Sequence, residues 1–299
     1  MKTAYLFSGQ GSQYIGMEKI FKNHHQDILA SFFESANKIL GYNIYDIVAN
    51  GPAEKLNNTK YTQPAIFIIS SIAYEILKKK ESRPDFCAGH SVGEITSLYA
   101  SGALPFKDAL LFIQKRAQAM EHASTINPGA MLALIKPSDD DIKNIITNTH
   151  SISIANINST TQTILSGPLE GIKNAISFCK ENKIKAIPLP VSGAFHSILM
   201  KPASDSLLKI INQLNLSDSM MPIYQNINAL PENRKEFLKE NLAKQITSTV
   251  QWKDTINNMI KDKANCFIEV GPKQILTNLI KKSHPNVTCK SFEDIIKNE

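Results

Sequence analysis

Gly89-His90-Ser91-Val92-Gly93-Glu94 is the stretch that decides the fold. The apolar run Phe86-Cys87-Ala88 leads into it and reads as a strand, while Glu94 through Ala100 leads out and reads as a helix. In a strand–turn–helix of this kind, glycines permit a turn too tight for larger residues, and one hydroxyl, that of Ser91, is lifted clear of the backbone. The Val92 N–H then lies at a helix N-terminus, where a backbone donor can hold a developing oxyanion. The five-residue G-x-S-x-G pattern is weakly specific alone. Its setting makes Ser91 a candidate nucleophile.

Outward from this elbow, strands and helices alternate. Thr3–Phe7 reads as a strand ending in the loop Ser8-Gly9-Gln10-Gly11-Ser12-Gln13. Helical patterns follow at Phe21–Leu40 and Ile44–Val48, and Pro64 is placed as the first residue of an apolar helix closing on Lys78–Lys80. Another helix runs from Lys107 to His122; Cys266–Val270 is a strand stopped by Gly271-Pro272, and Gln274–Lys282 is a helix. Such alternation implies a parallel sheet covered on both faces. Between them, Met131–Ile135, Asp139–Thr147, Ser151–Ile157, Gln162–Leu165, Leu169–Asn182 and Lys185–Val191 read as β-α-β-β-α-β, a ferredoxin-like unit. The expected organisation is a discontinuous catalytic domain, residues 1–125 and 197–299, with a small domain inserted at 126–196.

Composition narrows the function classes. With 42% hydrophobic and 20% charged residues, 299 residues can bury an ample core. The excess of 33 basic over 27 acidic residues is modest and suits an anionic small molecule or an acidic protein. Its lysines are scattered or end helices, without interleaved aromatics, which argues against nucleic acid. The four cysteines have no metal-like spacing, and they fit a reducing cytoplasm. The apolar run after Met1 is too short for a signal peptide, and Pro64 to Tyr74 is too short to span a bilayer.

A serine hydroxyl needs a base. Of seven histidines, His24 and His25 fall on a polar helix surface, His150 on a loop and His284 beyond the last long helix. His90 adjoins Ser91 and suits a pocket wall. His196 follows Val191-Ser192-Gly193-Ala194-Phe195 at the return between the two domains, where a cleft forms, and is the candidate base. Arg116 speaks to substrate. At about 100° per residue it falls inside the apolar arc of its helix, in line with Phe112 and Met120. A guanidinium there must find an anion or snorkel out to solvent: the alternatives are a structural salt bridge, a snorkelling side chain, or a substrate carboxylate matched to its planar fork. Gly9-Gln10-Gly11 sits at the end of the first strand, where open α/β sheets place ligands, and its backbone can supply a second oxyanion donor. It is neither a dinucleotide fingerprint nor a P-loop.

Taken together, Phe7–Gln13, Gly51-Pro52-Ala53-Glu54, Thr62-Gln63-Pro64-Ala65, the elbow, the arginine helix, Gly193-Ala194-Phe195-His196-Ser197, Val250-Gln251-Trp252 and Glu269-Val270-Gly271-Pro272 resemble the malonyl-CoA:acyl carrier protein transacylases of fatty acid synthesis. More broadly they are similar to the acyltransferase domains of polyketide synthases. The resemblance implies an α/β-hydrolase-like large domain with an inserted ferredoxin-like domain, and transfer of malonyl from malonyl-CoA to the thiol of acyl carrier protein. It implies Ser91 as nucleophile, His196 as base and acid, Arg116 on the malonyl carboxylate, and the Gln10 and Val92 N–H groups as oxyanion hole. A backbone carbonyl near Gln251 would orient His196. Phe195 would crowd a methyl branch, and Met120 joins the substrate-binding set. Asn156, Asn158 and Lys185 are further candidates, Lys185 as a basic contact to the carrier or its phosphopantetheine. No metal or cofactor is implied; the expected chain is a cytoplasmic monomer without membrane or nucleic-acid partners. Ser8 departs from the proline of many members. Ser91 and His196 alone serve an esterase or thioesterase equally well, and Arg116 with the G-Q-G-S-Q loop separates the two readings.

Overall fold

The computed structural model describes residues 2–21, 25–80, 83–149 and 151–297. In chain order, β1 (Lys2–Phe7) is followed by a 3-10 turn (Met17–Phe21), α1 (Gln26–Leu40), α2 (Ile44–Asn50), α3 (Ala53–Asn57) and α4 (Thr59–Lys80). Then come β2 (Phe86–Gly89), α5 (Val92–Ala100) and α6 (Phe106–Ile126). The middle of the chain is β3 (Gly129–Ile135), α7 (Asp139–Thr149), β4 (Ser153–Ser159), β5 (Gln162–Pro168), α8 (Leu169–Glu181) and β6 (Ala186–Pro188). The remainder is α9 (Lys201–Gln213), β7 (Ile223–Tyr224), β8 (Pro231–Glu232), α10 (Lys235–Lys244), α11 (Trp252–Lys261), β9 (Ala264–Val270), α12 (Ile275–Ser283), β10 (Thr288–Ser291) and α13 (Phe292–Lys297).

Two sheets organise these elements. The larger has the order β10-β9-β1-β2-β7-β8, parallel throughout except for the short β8 at its edge. Alternate residues of β1 face opposite layers. Tyr5 and Phe7 pack with α1, α2, α4, α5 and α6, and Ala4 and Leu6 pack with Trp252, Met259, Leu276 and Ile280 of α11 and α12. This covering of both faces is what a parallel sheet requires. The smaller sheet, β4-β5-β3-β6, is antiparallel. Leu132, Leu134 and Leu165 bury one face against Ile145 of α7 and Ile172 and Ala175 of α8. Met131, Ala133 and Ile164 turn the other face toward the larger sheet's core. Strand order and connectivity are those of a ferredoxin-like unit. The molecule is α/β, a large parallel-sheet body with a second, smaller one.

Local chemistry accounts for several boundaries. Leu29, Phe33, Ala36 and Leu40 form the buried stripe of α1, which Gly41 ends in the left-handed conformation at φ 78°. That helix begins at Gln26, later than the Phe21 start expected, with the 3-10 turn occupying 17–21; residues 22–24, including His24, and His150 lie outside the described residues. Pro64 is not the first residue of its helix but lies inside α4, which starts at Thr59. Its missing N–H falls in the second turn, where the cost of the lost bond is confined to the helix start. Among the described residues no helix is long and apolar enough to cross a membrane.

Candidate active site

Parallel pairing of β1 with β2 sets Phe7 beside Gly89, so the loop after β1 and the elbow after β2 emerge side by side. Close approach demands the glycines. A Cβ on Gly89 would overlap the Gly93 carbonyl, and one on Gly93 would overlap the Phe7 carbonyl oxygen. A Cβ on Gly9 would lie 2.6 Å from the His90 carbonyl oxygen. Ser91 itself takes φ 53° and ψ −106°, a strained conformation of the sort stored at functional sites at about 1–3 kcal/mol. Among the described residues, the N–H groups of Gln10 and Val92 have no hydrogen-bond acceptor. Two free donors thus flank the nucleophile.

His196 Nε2 lies 2.8 Å from Ser91 Oγ, and its Nδ1–H faces the carbonyl oxygens of Gln245 at 3.1 Å and Ser248 at 3.2 Å. Those carbonyls fix the tautomer that leaves Nε2 free to accept the serine proton. The orienting role expected of Gln251 falls instead to Gln245 and Ser248. Gln251 stands at the start of α11, and its backbone N–H donates to Asn226 O at 2.8 Å instead. No carboxylate is needed as third member. Burial, reinforced by the charge of Arg116 and by His90, pushes His196 down to about 3, so the imidazole is neutral and ready as a base.

Arg116 comes off α6 with Ala109, Leu110, Phe112, Ile113, Ala117 and Met120, the arc expected from its spacing, and is 1% exposed. Nη1 donates to Gln63 Oε1 at 2.6 Å; Nη2 donates to Gln245 Oε1 and to Ser91 Oγ, both at 3.0 Å. Gln63 in turn donates to Met120 Sδ at 3.4 Å, and Gln245 Nε2 donates to the Ser91 carbonyl at 3.1 Å. The fork is therefore held by neutral amides. Among the described residues no carboxylate is in contact with it, which removes the structural salt bridge from the alternatives. Burial pulls Arg116 down to about 10, and Glu94 opposes that. Glu94, also 1% exposed, is pushed up to about 7 by burial.

These groups line one cavity of ≈ 280 Å³ between the two sheets. Gln10, Ser91, Val92, Arg116, Met120, Phe195 and His196 all reach it, as do Asn156 and Asn158 from β4. Lys185 does not; it is exposed just before β6. His90 is the expected wall, donating from Nε2 to Asn158 Oδ1 at 2.9 Å with its ring against Trp252. Residue reasoning assigned no part to Gln63, Gln245, Glu94 or Asn226. Gln63 carried a signal, a long polar side chain in an otherwise apolar helix. Gln245 and Asn226 lie in short irregular stretches with no periodicity to mark an inward face.

A half-buried serine on a strained elbow, a neutral histidine, two open amides and a buried guanidinium make an acyl-transfer site. The profile of the acyl transferase domain family matches residues 4–296. The chain belongs to that family. It is 37% identical over 300 residues to the malonyl CoA-acyl carrier protein transacylase of Bacillus subtilis, covering 98% of this chain and 94% of that one. The transacylase of Coxiella burnetii superposes with a TM-score of 0.95 at 31% identity, covering 100% and 96% of the two chains. A malonyl-transacylase solved in complex with its type II PKS acyl-carrier protein superposes at 0.94 with 28% identity, covering all of both chains.

Proposed function

We propose that this acyltransferase carries malonyl from malonyl-CoA to the phosphopantetheine thiol of an acyl carrier protein, supplying malonyl thioester for fatty acid synthesis. Ser91 Oγ attacks the thioester carbonyl while His196 Nε2 takes its proton. The Gln10 and Val92 amides hold the tetrahedral oxyanion. The carbon–sulfur bond then breaks, the CoA sulfur leaves with the proton from His196, and malonyl remains as an ester of Ser91. The carrier thiol repeats the sequence in reverse, giving its proton to His196 as sulfur attacks, and Ser91 recovers it. Every proton has a named donor and acceptor, so the reaction as drawn calls on no metal or redox cofactor.

The observation that carries this reading is Arg116, a buried cation within hydrogen-bond reach of the nucleophile whose partners, two side-chain amides and the Ser91 hydroxyl, are all neutral. A malonyl carboxylate supplies the missing anion in bidentate form. An acetyl group leaves it unpaired, and so discriminates against itself. Phe195, 5% exposed, and Met120, 2% exposed, narrow the acyl end of the cavity and disfavour a branched methylmalonyl group. The relatives named as malonyl transacylases, and the one solved with its carrier, support the donor and acceptor. We take the enzyme to act as a cytoplasmic monomer, with 126–196 as the small domain, Lys185 as a basic contact to the carrier, and neither membrane nor nucleic acid as partner.

Incubation with malonyl-CoA, with and without phosphopantetheinylated carrier protein, tests the reading against hydrolysis. Malonyl on the carrier thiol with little free malonate is expected. Free malonate at the same rate whether or not carrier is present would make the protein a thioesterase.

A further inference from the structure

The backbone pairing of β2 with its neighbour β7 ends at Ala88 opposite Tyr224, yet the ladder does not stop there. Two residues on, Asn226 lies 1% exposed with its side chain against the elbow. Its Oδ1 accepts the Ser91 N–H at 2.7 Å, and its Nδ2 donates to the Gly89 carbonyl at 2.7 Å. In a parallel sheet, one residue's C=O and N–H bond to the residues after and before its opposite number. The carboxamide of Asn226 makes that pattern about His90, standing in for a peptide group one rung beyond the strand.

Asn226 is itself held at both backbone groups. Its N–H donates to Glu94 Oε2 at 2.6 Å, and its carbonyl accepts the Gln251 N–H at 2.8 Å. Glu94 belongs to the first turn of the helix that the elbow opens, and Gln251 follows Val250, which bridges to β4 through Val250 N to Ala155 O at 2.8 Å. One residue thus ties the strand before the nucleophile, the nucleophile's own amide, the helix after it and the segment bordering the smaller sheet.

We propose that Asn226 is a positioning residue: its carboxamide extends the sheet into the strained turn and holds Ser91 where Oγ meets His196 and Arg116. The argument rests on the acyl-serine reading above. Alanine would leave the Gly89 carbonyl and the Ser91 N–H without partners and free the φ 53° backbone to relax. Misplacing a nucleophile by about 1 Å costs on the order of 10²-fold in rate. Aspartate keeps the acceptor but turns a second oxygen on the Gly89 carbonyl; once protonated, it regains an O–H donor and copies the amide. Glu94 on α5 is the ionisable group bonded to this residue, with Arg116 of α6 beyond it and His90 and His196 on the elbow's other sides.

The test is single-turnover acylation of wild type, Asn226→Ala and Asn226→Asp by saturating malonyl-CoA, with the final yield of acyl-serine counted. Asn226→Ala is expected to reach full yield at a rate lower on the order of 10²-fold, with half-saturation changed less than about threefold. Asn226→Asp is expected to be equally slow at pH about 8 and to gain on wild type as pH falls toward about 5, where a buried carboxyl protonates. Fluorophosphonate labelling of Ser91 reads the same elbow without malonyl-CoA, so labelling without malonylation in wild type would sink the acyl donor and leave the Asn226 comparison intact. A reduced yield at an unchanged rate constant would overturn the inference, because Asn226 would then serve folding alone. So would a rate within about twofold of wild type, or an Asn226→Asp ratio that stays flat with pH.

Discussion

The two walls of the cavity are built on different principles. On the large-sheet wall the side chains around Ser91 hold one another, Arg116 to Gln63 and Gln245, His196 to two carbonyls, Ser91 to His196 and Arg116, while the Gln10 and Val92 amides stay open for the oxyanion. On the small-sheet wall, Met131, Ile164, Leu189 and Val191 offer apolar surface, with Asn156, Asn158 and Gln162 as the polar exceptions. A parallel sheet delivers several strand ends to one edge and so concentrates loops and helix N-termini there. An antiparallel sheet presents a broad face. Chemistry sits on the first and shape on the second, joined by the His90–Asn158 bond and the Val250 bridge to β4.

That contrast breaks or sharpens under substitution. The largest effects belong to the committed wall: Ser91→Ala or His196→Ala is expected to lower malonyl transfer on the order of 10³-fold or more, measured as kcat/KM. Gly9→Ala comes next. The added Cβ would stand 2.6 Å from the His90 carbonyl and push the Gln10 amide out of place, with an expected loss of about 10- to 100-fold in kcat. Ile164→Ala or Asn156→Ala on the opposite wall should raise KM only about two- to tenfold and leave kcat within about threefold. A kcat collapse in either small-sheet variant would erase the division of labour.

The smallest effect is read in stability. His196, lowered from 6.5 to about 3, resists a proton that the unfolded chain accepts, so stability falls as pH drops through that window. Glu94, raised from 4.5 to about 7, acts with the opposite sign: stability falls as pH rises through its window. Between pH about 4.5 and 6.5 the two oppose, each with a slope of up to about 1.4 kcal/mol per pH unit. In urea titrations, His196→Gln should therefore become more stable on acidification across that range, and Glu94→Gln less stable. Parallel curves for both variants would contradict these environments.

What was legible in the chain follows from what repeats or what is sterically forced. The G-x-S-x-G glycines exclude Cβ atoms from a crowded crossing, so the elbow is readable from local sequence. The α6 arc is readable from period, and that period alone places Arg116 inward. β4 through β6 announce their order, though the last strand is shorter than Lys185–Val191 because only Ala186–Pro188 meets β3. By contrast, β7 and β8 are two residues each, too short to show alternation. The sequence points to the segment before Gln251 for the carbonyls that orient His196 but not to the residues, since any residue carries a carbonyl and only tertiary geometry selects Gln245 and Ser248. Pro64 suggests a helix start because proline favours the first turn, but α4 begins five residues earlier, its burial on nearly every side overriding that local preference.

The pairing of Arg116 with Ser91 is most directly tested by peptide-mapped acylation from malonyl-CoA and acetyl-CoA, side by side in wild type and Arg116→Ala. Wild type is expected to carry malonyl on Ser91 and to take acetyl poorly. Arg116→Ala is expected to lose malonyl loading on the order of 10²-fold or more while acetyl loading holds or rises. Equal losses for both acyl groups, or acylation mapped to a residue other than Ser91, would contradict the account.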